Sequence, residues 1–169
     1  MHFVGRSSMD IKGIGEKMAL ALIAAGVVKD VGDIYSIKKE QLLPLEHMAE
    51  KSVINILDAI ERSKSRPFSN VLMSLGIRHV GLETADTLAR RFDGLDSIVC
   101  ATEDTLASVR GVGSKIASSI ATYFSQDVNQ QVLLKLKEAG LRMMSDKWSE
   151  DQQDLPLAGK LLVVTGRLT

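Results

Sequence analysis

A nine-residue phrase recurs four times along this 169-residue chain, and no other feature limits its possible folds so strongly. It reads Ile11-Lys12-Gly13-Ile14-Gly15-Glu16-Lys17-Met18-Ala19 in the first copy and Val109-Arg110-Gly111-Val112-Gly113-Ser114-Lys115-Ile116-Ala117 in the last. Two weaker copies lie between them, Leu45 to Val53 and Ile77 to Ala85. Their first residues fall at 11, 45, 77 and 109, with offsets of 34, 32 and 32 residues. A recurrence in this range is the signature of one supersecondary unit used repeatedly. The unit is a bend followed by a helix start.

The chemistry of the phrase follows from its residue types. Glycine takes positive φ without steric cost, whereas other L-residues lose about 1–2 kcal/mol in the left-handed region. The apolar residues on either side pin the turn into a core. The second glycine stands where a helix begins, and without a Cβ it lets another group approach the backbone. The first turn of that helix offers unpaired N–H groups and the positive end of the macrodipole. Together these make a cradle for a phosphate oxygen. A lysine follows the first glycine by four residues at Lys17 and Lys115, and Lys51 keeps that register in copy two. Copy three has Glu83 there. A helical hairpin with no ligand would explain a single such phrase, but two matching copies in register with two degenerate ones favour the anion cradle.

The balance of charge sets a limit on that reading. Basic and acidic residues number 21 each, so the net charge is zero. A protein holding nucleic acid by charge alone would be basic; this one would rely on backbone donors and a few placed cations, and bind modestly by itself. Apolar residues at 45% and charged residues at 25% fit a globular chain with an ordinary core. No apolar run reaches the length of a bilayer span, and no signal-peptide pattern opens the chain. A lone cysteine, Cys100, excludes an internal disulfide and a cysteine-built zinc site; its apolar neighbours Ile98 and Val99 predict a small core residue. The histidines His2, His47 and His79 lack metal-ligand spacing.

Between the phrases the pattern is helical. Helices are expected over 16–25, closed by Gly26, over 50–63 with an apolar stripe at 53, 54, 57 and 60, from Pro67 through Leu75, over 83–92, over 115–124 and over 128–139. Ile34 to Ile37 and then a short helix through Leu42 match a counterpart 64 residues later, where Thr102 is an expected N-cap. Residues 145–154 are polar and read as a linker, with Trp148 expected to pack back onto the helices. Leu161 to Thr165 reads as a β-strand that needs partners, so the chain is expected to stop just inside a second domain.

The glycine phrase is identified as the helix–hairpin–helix motif. The wider run from His2 to Ile11 into Gly13-Ile14-Gly15-Glu16-Lys17, together with Leu75 to Gly81 and Thr84-Ala85, resembles the segment that follows the zinc finger in bacterial NAD-dependent DNA ligases. The tail from Gly159-Lys160 to Thr169 is similar to the first strand of that family's terminal BRCT domain. The resemblance implies an all-α fold of four tandem helix–hairpin–helix motifs over 1–145, a linker over 146–156, and the start of a truncated BRCT domain with its single strand over 157–169. It implies a bacterial cytoplasmic protein whose motif domain lies along the minor groove of nicked double-stranded DNA, contacts backbone on both sides of the break, and meets the other domains of the same ligase without any membrane. The contacts it implies are Gly13, Gly15, Lys17, Gly111, Gly113 and Lys115, then Arg78, His79 and Gly81. Copy two has lost both glycines, to His47 and Ala49, and is read as structural. No K-x-D-G adenylation sequence occurs, so this segment is expected to have no catalytic residue and to hold no cofactor; the implied NAD, Mg²⁺ and structural Zn²⁺ of the parent ligase lie outside it. Three alternatives compete: another helix–hairpin–helix repair or recombination protein, a base-excision glycosylase, and a helical-repeat scaffold for proteins.

Overall fold

The computed structural model describes residues 2–46 and 48–145. His47, Trp148, the expected linker and the expected strand lie outside the described residues. Within them the fold is helical throughout, as the periodicity predicts: α1 (Glu16–Ala24), a 3₁₀ segment (Val31–Ser36), α2 (Lys39–Leu42), α3 (Glu50–Ser63), α4 (Phe68–Ser74), α5 (Leu82–Arg91), α6 (Leu95–Val99), α7 (Glu103–Ala107), α8 (Ser114–Ser125) and α9 (Asp127–Glu138). The described residues contain no strand, only a lone antiparallel bridge between Gly94 and Met144. No described helix is long and apolar enough to cross a membrane.

Each helix is short, so its stability comes from the face it buries rather than from propensity. Leu22, Leu42, Val53, Phe68, Val71, Leu72, Leu88, Leu106, Ile120 and Leu136 form one continuous apolar core. Helices α4 and α5 pack as one pair and α7 and α8 as another. Helix α9 packs on α8 and also reaches back to the 3₁₀ segment of the first repeat. There Lys135 Nζ lies 2.6 Å from Asp30 Oδ2 and 2.7 Å from Asp33 Oδ1. The approach is close enough that a Cβ on Gly32 would come within 2.7 Å of the Lys135 Cβ.

The opening loop is fastened to the middle of the chain. Arg66 donates to the carbonyls of Ser8 (3.2 Å) and Arg6 (3.1 Å), and Asn70 donates to that of Ser7 (2.8 Å). His2 Nε2 is 2.7 Å from the Met73 carbonyl. These bonds set the angle at which the chain enters the first hairpin.

Two expectations are corrected. The buried face of α3 is Val53, Ile56, Ala59, Ile60 and Ser63, while Ile54 is 49% exposed and Leu57 half-buried. The stripe is rotated because two small residues, Ala59 and Ser63, admit a close neighbour; the Ser63 hydroxyl donates to the Ile60 carbonyl at 2.7 Å and lies 3.1 Å from the Tyr35 hydroxyl. Burial pushes the Tyr35 phenol up to about 12, so it stays protonated as a partner for that hydroxyl. Cys100 is exposed rather than buried. The five-residue helix α6 turns Leu95 and Ile98 inward, three positions apart, which leaves Val99 and Cys100 facing outward.

Candidate nucleic-acid interface

The four phrases fold alike. The two apolar residues of each tip sink into the core: Ile11 and Ile14, Ile77 and Val80, and Val109 and Val112 are buried, with Leu45 and Met48 partly so. The Met48, Val80 and Val112 N–H groups close the bends onto the carbonyls of Leu45, Ile77 and Val109 at 3.2, 3.0 and 2.9 Å. The second of the two residues between them has positive φ wherever it is described, at +94° for Gly13, +66° for His79 and +87° for Gly111. Copy three therefore keeps the bend even though its residue is not glycine.

The next element in each copy is a helix N-terminus with no side-chain cap. Gly15, Ala49, Gly81 and Gly113 are the N-cap residues of α1, α3, α5 and α8, and among the described residues no side chain caps those starts, nor those of α4, α6 and α9. The chain does cap other segments: Asp30 accepts from the Gly32 N–H at 2.9 Å and Thr102 from that of Thr105 at 3.2 Å, where the Thr102 cap was expected. At α8 the Ile116 and Ala117 N–H groups turn back to the Gly113 carbonyl at 2.9 and 3.0 Å. The N–H groups of Ser114 and Lys115, one and two residues into the helix, remain for an outside acceptor.

The two glycines of the phrase are required for different reasons. A Cβ on Gly13 would come within 2.5 Å of Ile56 Cγ1, at a φ that already disfavours it. At Gly15, Gly81 and Gly113 a Cβ would meet nothing within 4 Å. Their φ values of −80°, −93° and −78° are extended and open to any residue. Ala49 holds the same cap conformation, φ −87° and ψ 157°, in copy two. The fold therefore has no use for glycine at these caps; a group approaching from outside would.

Charge is sorted around the tips. Lys12, Lys17, Arg78, Arg110 and Lys115 are exposed and have no carboxylate within 4.0 Å among the described residues. Some cations elsewhere are matched, as in Arg90 with Asp86, Lys64 with Glu61 at 2.7 Å and Lys137 with Asp96 at 2.8 Å, whereas others, such as Lys38 and Arg62, have no carboxylate within 4.0 Å among the described residues. Glu50, in the first turn of α3, is held by Lys39 at 3.1 Å. The first turns of α1 and α5 carry Glu16 and Glu83, but that of α8 carries no acid. Hairpin four is thus the most favourable place for an anion, with open N–H groups and Lys115 in a first turn free of acids; Arg110 lines a separate groove that also holds Glu83 and Asp86. Lys12 and Arg110 were not singled out in the sequence, although they share the register of Arg78, one residue into the phrase.

Two of the open grooves beside the tips hold residues singled out in the sequence. The larger, of about 810 Å³, gathers Arg78 and His79 from hairpin three with Lys115 from α8. The other, of about 550 Å³, places Lys12 and Gly13 against α3. Lys17, Gly15, Gly111 and Gly113 line neither groove and remain at their own tips. No described group of three histidine, cysteine or acidic side chains could hold a metal ion.

Residues 8–62 match the family described as "SAM-like Helix-hairpin-helix tandem" and residues 70–133 the family described as "Helix-hairpin-helix motif". Each match takes in two of the four phrases. Over 168 residues, 99% of this chain, it is 41% identical to a protein of Halothermothrix orenii named DNA ligase, covering 25% of that protein. Proteins of the same name from Dehalococcoides mccartyi and Chloroherpeton thalassium are each 46% identical over 99% of this chain and 24% of their own lengths. The chain is thus similar, over nearly its whole length, to one part of these DNA ligases, the part that carries helix–hairpin–helix motifs. It spans about a quarter of the length of the relatives it matches.

Proposed function

We propose that this chain is the part of a bacterial NAD-dependent DNA ligase that grips the backbone of duplex DNA. The carrying observation is the set of uncapped helix N-termini at Gly15, Gly81 and Gly113, where a Cβ would stand in open space. Backbone N–H groups donate to phosphate oxygens there, and glycine lets the phosphate come close. Gly13 and Gly111 shape the bends that aim those donors, with His79 in the same role in copy three. Lys17, Arg78 and Lys115 supply charge, with Lys12 and Arg110 added from the geometry. Contacts of this kind fix position on a duplex without reading its sequence, as sealing a nick anywhere in a genome requires.

The duplex is held from its minor-groove side, across a nick, during replication and repair in the bacterial cytoplasm. The chain does so alongside the other domains of the same ligase. It has no catalytic residue of its own; NAD, Mg²⁺ and a structural Zn²⁺ are held by other parts of the parent protein. None of its described residues forms a metal-binding group, and its sequence has no K-x-D-G lysine.

Fluorescence anisotropy of a labelled nicked duplex, titrated at several salt concentrations, tests the reading. Binding should be indifferent to sequence and weaken with salt, losing close to one unit of log–log slope for each lysine or arginine contact to phosphate removed. Gly113→Val, whose extended cap conformation accepts a β-branched residue, should keep the fold and weaken binding at least about tenfold. Unchanged affinity in that variant would remove the cradle from the binding site.

A further inference from the structure

The repeat extends beyond the hairpin tips, to the grooves beneath them. Lys12 and Arg78 hold matching registers in copies one and three, as do Gly13 and His79; Asn55 and Ser119, and Arg62 and Gln126, match in copies two and four. All eight line one of the two grooves. Each groove thus runs from the tip of an odd-numbered hairpin to the helix that follows the next one: from hairpin one to α3, and from hairpin three to α8. No Asp or Glu among the described residues lines either. The groove between α5 and hairpin four differs, with Glu83 and Asp86 in its wall.

The groove walls are rich in unused donors. Ser118 and Thr122 lie four positions apart on the exposed face of α8, and neither hydroxyl has a partner among the described residues. Tyr123 is half-buried beside them, and burial pushes its phenol up, so it keeps its proton at neutral pH. On α3, Asn55 is exposed and, among the described residues, its side-chain amide has no partner and Arg62 no carboxylate in reach. Cations at the hairpin end of each groove (Lys12; Arg78 and Lys115), a second cation, Arg62, in the smaller one, neutral donors along the helix and no carboxylate among the described residues make a lining suited to a chain of phosphodiesters.

We propose that these two grooves are a second, repeated set of phosphodiester sites, in which the polar faces of α8 (Ser118, Thr122) and α3 (Asn55, Arg62) hold backbone phosphates next to those at the hairpin tips. The inference rests on the duplex-binding reading above and adds to it two lengths of strand that the glycine cradles do not touch. Hydroxyl and amide donors carry no charge, so they act differently from the lysines: they strengthen the grip without releasing counterions.

Three variants of the whole chain, titrated with the same nicked duplex, separate the two layers. Ser118→Ala with Thr122→Ala should weaken binding about three- to tenfold while leaving the salt slope unchanged, because only neutral donors are lost. Ser118→Glu with Thr122→Glu should weaken it more than tenfold, by placing carboxylates beside phosphates. Asn55→Ala should repeat the first effect in the other groove. These residues are exposed, and matching circular dichroism melts will confirm that the fold is kept. Affinity within about twofold of the parent in all three, with Gly113→Val still disabling, overturns the groove proposal and leaves the cradles standing. Weakening in the groove variants with Gly113→Val unimpaired upholds the grooves and removes the cradles. A parent chain that does not bind the duplex at all removes both.

Discussion

Replacing single glycines of the repeated phrase separates what the fold needs from what a ligand needs. Alanine at Gly13 must adopt φ near +94° and displace Ile56, which together predict a loss of about 2–4 kcal/mol. At Gly111 the φ of +87° is unfavourable but a Cβ has room, so alanine should cost about 1–2 kcal/mol. At Gly113 neither applies, and the poorer N-cap is offset by a less flexible unfolded chain, leaving a change within about 1 kcal/mol. Urea denaturation of the three variants should rank them in that order; equal losses at 13 and 113 would refute the distinction. His79 gives the converse. With φ at +66° it carries a penalty glycine would lack, so His79→Gly should stabilise by up to about 1 kcal/mol, read as a higher urea midpoint with an unchanged slope. The sequence shows the shared position but cannot show that it stays left-handed once the glycine is gone. That depends on Ile77 and Val80 being pinned in the core on either side.

At the scale of the element, helix starts fall into closed and open ones, and only the closed ones should respond to losing a cap. Thr102→Ala removes the acceptor of the Thr105 N–H and should lower stability by about 1 kcal/mol, seen in the melting temperature, while DNA affinity stays as it was. Equal damage to binding would mean that α7 takes part in the interface. Element positions were largely legible in the sequence because glycine, proline and capping residues mark them; α1, α3, α5, α8 and α9 lie within a residue or two of where the pattern places them. Facing was less so. The buried side of α3 is set by Ala59 and Ser63, residues too small or too polar to register as core, and periodicity therefore settled on the exposed Ile54. Cys100 misled for a related reason. A helix of five residues has no room to bury everything apolar in it. The hairpin tips were legible because they are part of a repeated phrase, whereas the grooves join residues from adjacent copies and exist only after folding.

In the whole molecule, the last described helix is tied to the first repeat by Lys135 against Asp30 and Asp33, more than a hundred residues away in sequence. Nothing in the local pattern announces that pairing, since each of the three reads as an ordinary surface charge. Its contribution should have a definite dependence on pH. The Lys135 ammonium, with added donation from the Lys29 and Asp30 N–H groups, holds the Asp33 carboxyl below its ordinary value despite some desolvation. A depressed carboxylate stabilises the fold above its unfolded value and loses that contribution as pH falls through the folded one. Lys135 is raised, chiefly by its bonds to Asp30 and Asp33; its contribution is complete below the ordinary lysine value and is lost as pH rises through the folded one. The difference in melting temperature between the parent chain and Lys135→Met should therefore be constant from about pH 5 to pH 9 and shrink on both sides. Salt should reduce it only in part, because Asp33 is largely screened from solvent by its neighbours. A difference that is flat from pH 2 to pH 11 would mean that Lys135 acts through the packing of its aliphatic stem against Gly32 and not through its charge.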